Sequence, residues 1–412
     1  MKQVFVVMAL IVAAWSAQAQ EVTLRHALAG RNLETLDKLV TLFNQQQKKG
    51  KARIVLQDLK QVGDRHQLPH MALLDSNDGM AFFATLPRYR PLYQVMKEAG
   101  QKFSGSAFYP QISDAMNDSA GRMQALPMGL SLPVLFRNKA LFQKAGLEPD
   151  RVPQTWHDVQ LAAAALNEAG VACPFTSSRF SWVHLENVSS QQGHSMLARP
   201  NRATFNGLIN VKHLALLATW YRSNYFRYYG ANSEADSRFL SGECAMLTGQ
   251  SSLYSDILAE GNISVGVSRL PYYDDEFGAA QDNVLPDGAG LWILAGKSRE
   301  EYRLMARFVS YLMQPAIQRD WVKGTGFLPM TATAIAALHE SGVPPSVLDA
   351  AVRRLSMRSS VTRVKSGPLL ARVREMIDDE VGYVWRDQKP AKEALDSAMQ
   401  RANDGSADGS VK

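Results

Sequence analysis

Residues 22–59, VTLRHALAGRNLETLDKLVTLFNQQQKKGKARIVLQDL, decide the fold class. Val22 to His26 reads as a short strand. Leu33, Leu36, Leu39, Val40 and Phe43 then recur at helical spacing, with Asn32 available as the N-cap. Arg53 to Leu59 returns to strand-like character. A strand, a helix and a strand in succession predict a parallel α/β layer with crossover helices. His70 to Leu74 is the next buried strand of that layer.

Toward the N-terminus, Met1-Lys2-Gln3 carries one positive charge, Val4 to Ala14 is almost wholly apolar, and Ala17-Gln18-Ala19 is a small-x-small cleavage site. This pattern predicts a secretory leader (residues 1–19) cleaved after Ala19, and an exported protein that works in the periplasm. The apolar run is too short to anchor the chain, and the sequence contains no second run of about eighteen apolar residues. No Cys follows it, so no lipid anchor is expected.

About 390 residues remain, more than one core usually supports. Toward the C-terminus, Ser131 to Arg137 reads as one strand and Lys139 to Ala145 as a short helix ended by Gly146. Thr155 caps a helix to Ala169, and Val211 to Tyr221 and Ser233 to Leu240 are further helices. Cys244 to Thr248, Ile263 to Val267 and Gly288 to Leu294 are strands. Ser298 and Glu301 form a capping box that opens a helix to about Leu312. Beyond Pro329 the pattern is helical, closing with Glu375 to Trp385 and Pro390 to Ala402. There is no internal repeat and no low-complexity linker, so several chain crossings between two lobes are predicted. Gly129–Pro133, Val267–Pro271 and Gly326–Pro329 are the hinge segments. The expected division is 20–130 with 268–328 for one lobe, 131–267 with 329–402 for the other, and a disordered tail over 403–412.

The composition, 46% hydrophobic and 20% charged, is that of a globular protein. The formal net charge of +6 is mild and spread along the chain, which argues against a nucleic-acid partner. The densest basic cluster is Arg353, Arg354, Arg358, Arg363, Lys365, Arg372 and Arg374. The two cysteines, Cys173 and Cys244, are open to a disulfide or to two buried thiols, because sequence does not supply the Cα separation a bridge needs.

Catalytic motifs are missing. His66 and His70 lack the Glu of a zinc-protease helix, and Pro69 breaks helix there. Gly129-Leu130-Ser131-Leu132-Pro133 has Pro where a nucleophile elbow needs its second Gly, and Gly249-Gln250-Ser251-Ser252-Leu253 fails the same test. Gly288-Ala289-Gly290 lacks the third Gly of a dinucleotide turn, and there is no P-loop. Together these absences favour a binding protein over an enzyme, with no cofactor and no metal.

Four blocks are more specific. They are Pro127 to Leu147 followed by Pro153 to Val159; Ser181-Trp182-Val183-His184-Leu185-Glu186-Asn187; Phe239-Leu240-Ser241-Gly242-Glu243-Cys244-Ala245-Met246; and Gly324-Thr325-Gly326-Phe327-Leu328-Pro329. In these the chain resembles the extracellular solute-binding proteins of carbohydrate-type ABC importers. Within them it is most similar to the glycerol-3-phosphate-binding branch, over about Val22 to Asn403. The resemblance implies a type II two-lobed α/β fold that closes on a small polar, phosphorylated ligand, either glycerol-3-phosphate or a glycerophosphodiester. It also implies a monomer that delivers the ligand to the membrane permease subunits of an ABC importer.

The same resemblance implies the site. Arg374 matches an Arg that contacts the ligand's phosphate, for which a planar fork of donors is suited. Ser131 matches a hydroxyl near the hinge, and Gly288 a bare backbone that approaches the ligand. Trp182 matches an aromatic packed on the ligand's carbon face, and Gln250 and Ser251 lie where the family presents a Ser. There are departures. Phe327 stands in place of a Tyr hydroxyl. Arg179 replaces a second aromatic and adds a cation, which predicts preference for a more anionic or larger phosphate-bearing ligand. Residues 61–68 form a shorter segment than the family has. Asp75 or Asp78 best approximates an acidic residue that grips glycerol hydroxyls. The competing readings are the same fold binding a neutral sugar or oligosaccharide, a secreted hydrolase, and an interaction protein that has lost its ligand.

Overall fold

The opening unit forms as predicted, in a computed structural model whose described residues are 21–47, 52–59, 68–75, 89–118, 120–198, 202–275, 283–340 and 367–407. The leader, His66, Asp78 and the basic residues Arg353, Arg354, Arg358, Arg363 and Lys365 lie outside the described residues. In chain order the strands are β1 (Glu21–His26), β2 (Arg53–Asp58), β3 (Met71–Leu74), β4 (Leu126–Ser131), β5 (Pro133–Asn138), β6 (Cys173–Ser177), β7 (Leu197–Ala198), β8 (Arg202–Ala203), β9 (Phe226–Arg227), β10 (Cys244–Gln250), β11 (Val265–Arg269) and β12 (Asp287–Ile293).

Two five-stranded sheets organise the chain, ordered β2-β1-β3-β12-β4 and β11-β5-β10-β6-β9. Each has one strand running against the rest, β12 in the first and β5 in the second. The carboxyl ends of β1, β3 and β4 and the start of β12 therefore share one edge of the first sheet. The ends of β6, β10 and β11 and the start of β5 share one edge of the second. One residue, Leu132, joins β4 to β5. These two edges must face each other, and such carboxyl edges are where open α/β sheets bind ligands.

Each sheet has its own core. Leu36, Leu39 and Phe43 of the helix Gly30–Gln45 meet Phe308 and Trp321 beside the first sheet. Trp156, Phe175, Trp220 and Phe226 fill the second, closed off by Val373, Ile377 and Trp385 of the helix Gly367–Trp385. The Thr155 cap and the Ser298–Glu301 capping box form as predicted, and Asp158 completes a second box at Thr155 that was not foreseen. Thr155 and Asp158 bond reciprocally at one helix start, and Ser298 and Glu301 at another.

Four details differ from expectation. The first helix starts at Gly30 without a side-chain cap, so Asn32 lies inside it. Ser131 to Arg137 is not one strand: the chain leaves the first sheet at Ser131 and enters the second at Pro133, as a proline at a strand's first residue permits. The helix Gly367–Trp385 starts eight residues before Glu375. The last helix runs to Ala407, past the start of the expected tail, with Asn403 bonded through its side chain to both the N–H and the C=O of Ala203.

Cys173 and Cys244 are directly paired in the β6–β10 register, and a disulfide joins them across a Cα separation of 4.5 Å. This resolves the alternative that the sequence left open. Among the described residues, no helix is long and apolar enough to cross a membrane. Nor do they contain a group of three or more His, Cys, Asp or Glu placed to hold a metal ion.

Candidate functional site

The two facing edges are stitched together around Leu130–Leu132 and Leu285–Gly288. Ser131 lies opposite Asp287 in the β4–β12 ladder, and Gly288 lies opposite Leu130. Ser131 Oγ donates to Ser252 Oγ at 2.9 Å. Ser251 takes the Leu132 N–H on its hydroxyl at 3.1 Å, while its own N–H reaches the Leu132 carbonyl at 2.8 Å. Phe327 stacks on Trp321, and the next residue, Leu328, donates its N–H to Leu130. Gly288 has φ +138°, and a Cβ there would stand 2.0 Å from the Gly129 carbonyl oxygen. Only glycine fits this close approach of two backbones.

Trp182 and Glu186 ride on one π-helical turn, Ser181–Glu186, a geometry common at functional sites. Trp182 is 2% exposed, and its indole N–H donates to the Leu285 carbonyl at 3.1 Å. Its ring thus belongs to the second core while its polar handle reaches the segment that crosses to β12.

Arg374 is also buried, at 5% exposure. Its Nη1 donates to Asp287 Oδ2 at 2.6 Å, and its Nε and Nη2 both donate to Glu186 Oε2, the former at 3.1 Å. Burial alone would lower the guanidinium's pKa, but Asp287 and Glu186 more than offset it and raise it further. One cation is therefore shared between a carboxylate on the second lobe's π turn and another at the first residue of β12. Asp378, one turn along the same helix, accepts from Ser181 Oγ at 3.4 Å, and its Oδ1 has no hydrogen-bond partner. Burial pushes the Asp378 carboxyl up to about 8, against the partial relief from Ser181 and Arg374.

Arg179 and Gln250 lie on the second sheet's edge. Arg179 follows β6 and Ser178 in the left-handed region, φ +50°, held by a 2.6 Å bond from its N–H to the Asn232 carbonyl. Asp236 lies beside it, buried. Burial raises the Asp236 carboxyl to about 6 although Ser178 and Arg179 pull it down. Gln250 is the last residue of β10 and is half-buried. Asp75 follows β3, whose Leu74 faces Gly290 of β12, so it stands at the first sheet's edge.

The structure thus gathers Ser131, Ser251, Gly288, Trp182, Arg374 and Phe327 around one crossing, with Arg179, Gln250 and Asp75 at its margins. The sequence missed the acidic partners Glu186, Asp287, Asp378 and Asp236. Glu186 stood inside a quoted motif, but nothing local signals a partner 188 residues away.

The description "bacterial extracellular solute-binding protein" fits a family model that matches residues 18–343. The sn-glycerol-3-phosphate-binding periplasmic protein UgpB of Escherichia coli is 33% identical over 338 residues, covering 79% of this chain and 77% of the relative. Two solved structures share the fold at 18% identity. UgpB from Mycobacterium tuberculosis in complex with glycerophosphocholine superposes with a TM-score of 0.75 over 94% of this chain and 100% of that one. An ABC substrate-binding protein of Listeria monocytogenes in complex with cycloalternan reaches 0.77 over 95% and 100%. With two hinged sheets, a polar crossing between them and a sequence match over most of its length, the chain belongs to the bacterial extracellular solute-binding proteins.

Proposed function

We propose that the chain is the periplasmic binding component of an ABC importer, which captures glycerol-3-phosphate or a glycerophosphodiester between its lobes and hands it to the membrane permease. The carrying observation is the convergence of Ser131, Ser251, Gly288, Trp182 and Arg374 where the carboxyl edges of the two sheets meet. The 33% identity to a glycerol-3-phosphate-binding relative supports the ligand class. Lobes spanning 20–130 with 268–328 and 131–267 with 329–402 would close by moving about the crossings, since ligand contacts from both sides favour the closed state. In this reading the protein acts as a monomer, is cleaved after Ala19, and performs no chemistry on its ligand.

A neutral oligosaccharide is the second reading. One observation favours it: the Arg374 fork is already turned to Glu186 and Asp287. The test is isothermal titration of the mature protein with glycerol-3-phosphate, glycerophosphocholine and maltodextrin. Binding of the phosphorylated ligands in preference to maltodextrin supports the first reading. Binding of maltodextrin alone, unaffected by added phosphate esters, overturns it. Release of product from any of these ligands by pure protein would overturn the non-enzymatic role.

A further inference from the structure

Arg374 and Arg179 stand by the facing edges, as do Arg25 near the end of β1 and Arg269 at the end of β11, and the electrostatic situations of the first two are opposite. Arg374 is buried, with two carboxylates within ion-pair distance. A phosphate added there would join two negative charges around one cation in a low-dielectric setting, where like charges are strongly disfavoured. Arg179 is partly buried; among the described residues its buried Nε has no hydrogen-bond partner, and no carboxylate lies within ion-pair distance of it. The buried Asp236 carboxyl interacts with it through space.

The backbone is specifically arranged to present Arg179. A non-glycine residue in the left-handed region is uncommon and strained, and such strain persists only where surrounding structure imposes it. Here it is imposed twice, by the Arg179 N–H on the Asn232 carbonyl and by the Phe180 N–H on the Ala231 carbonyl at 3.0 Å. The twist turns the chain from the end of β6 into the π turn bearing Trp182. Next to Arg179, Ser178 continues the ladder by donating its N–H to Thr248, and its Oγ would be only 2.6 Å from a Cβ on Gly249. The bare Gly249 backbone therefore leaves the Ser178 hydroxyl in place beside Arg179.

We infer that Arg179, and not Arg374, is the residue that meets the anionic group of the ligand, while Arg374 is a positioning residue that ties the π turn to β12. This rests on the proposed ligand class and names the specificity-determining residue of that site. A phosphate offers only acceptors and needs an uncommitted fork of donors, which Arg179 supplies at the second lobe's edge.

The test is titration of wild type, Arg179→Gln and Arg179→Lys with glycerol-3-phosphate, with thermal melts to check folding. Among the described residues Arg179 makes no ion pair, so Arg179→Gln should melt within a few degrees of wild type and lose roughly 30-fold or more in affinity, and Arg179→Lys should lose less. Glu186→Gln provides the contrast: it relieves Arg374 of one carboxylate. If Arg374 held the phosphate, affinity would rise about tenfold; with Arg179 as anchor it does not rise. Glycerol-3-phosphate affinity unchanged in Arg179→Gln, or a tenfold gain in Glu186→Gln, overturns the assignment while leaving the ligand class intact. If wild type binds no organic phosphate, the ligand class itself falls, and this assignment with it.

Discussion

Arg374→Met removes a buried cation and leaves Glu186 and Asp287 facing each other across the junction of the two sheets. The side chains are 7%, 3% and 9% exposed, so water screens little of the resulting repulsion. Breaking a buried ion pair by deleting one partner costs about 3–5 kcal/mol, chiefly because the abandoned charge stays desolvated. Here two carboxylates are abandoned, so the upper half of that range, about 4–5 kcal/mol, is expected. Methionine preserves most of the aliphatic volume, which keeps cavity effects small. Urea unfolding at pH 7 without ligand, followed by circular dichroism and by tryptophan fluorescence, measures the loss. Adding Glu186→Gln and Asp287→Asn to Arg374→Met should recover most of it, because the triad is then neutral. A loss below about 1 kcal/mol for Arg374→Met, or no recovery in the triple variant, would refute the view that this arginine is held by its carboxylates.

Three further outcomes follow from single sites. Folded Asp378 keeps its proton up to about pH 8, whereas an unfolded chain releases it near 3.8, so this group's contribution to stability is lost as pH rises through that window. Between pH 6.5 and 8, Asp378→Asn should remove from the wild-type profile a downward slope of about 1 kcal/mol per pH unit, the contributions of other groups being common to both proteins; parallel slopes in stepped-pH urea melts would contradict this. The Cys173–Cys244 disulfide closes a separation of 71 residues, so the double Ala variant should lose about 2–4 kcal/mol, and wild-type melts should drop by a matching amount under reductant. Gly288→Ala drives a Cβ into the Gly129 carbonyl at a positive φ and should cost about 3 kcal/mol or more, while Gly290→Ala meets the flexible Met116 side chain and should cost less. Equal melting temperatures for the two glycine variants would show that the first strand crossing tolerates more movement than its packing implies.

Much of the architecture was legible because it is encoded locally. The spacing of Leu36, Leu39, Val40 and Phe43 is enough to lay one helix face on a sheet. The Thr155–Asp158 and Ser298–Glu301 boxes span three residues each, so their chemistry is visible without a fold. Pro133 announced the crossing, although the strand before it and the strand after it were merged into one. Ser131, Trp182, Gly288 and Arg374 were singled out through the family resemblance alone, and in the fold they lie around the strand crossing. Their partners were not singled out. Whether Cys173 met Cys244 depended on two strands lying side by side in register.

By itself, the amino-acid order determined the layered α/β class and the helix starts at Thr155 and Ser298, since hydrophobic period and capping act over a few positions. The tertiary structure alone decided which charges are spent internally and which stay available. Arg374 is claimed by Glu186 from 188 residues away and by Asp287 from 87, whereas the left-handed backbone at Arg179 is fixed by hydrogen bonds from Arg179 and Phe180 to another loop. The reason is that ion pairing depends on separation in space and on exclusion of water, and both come into being only when distant segments pack together.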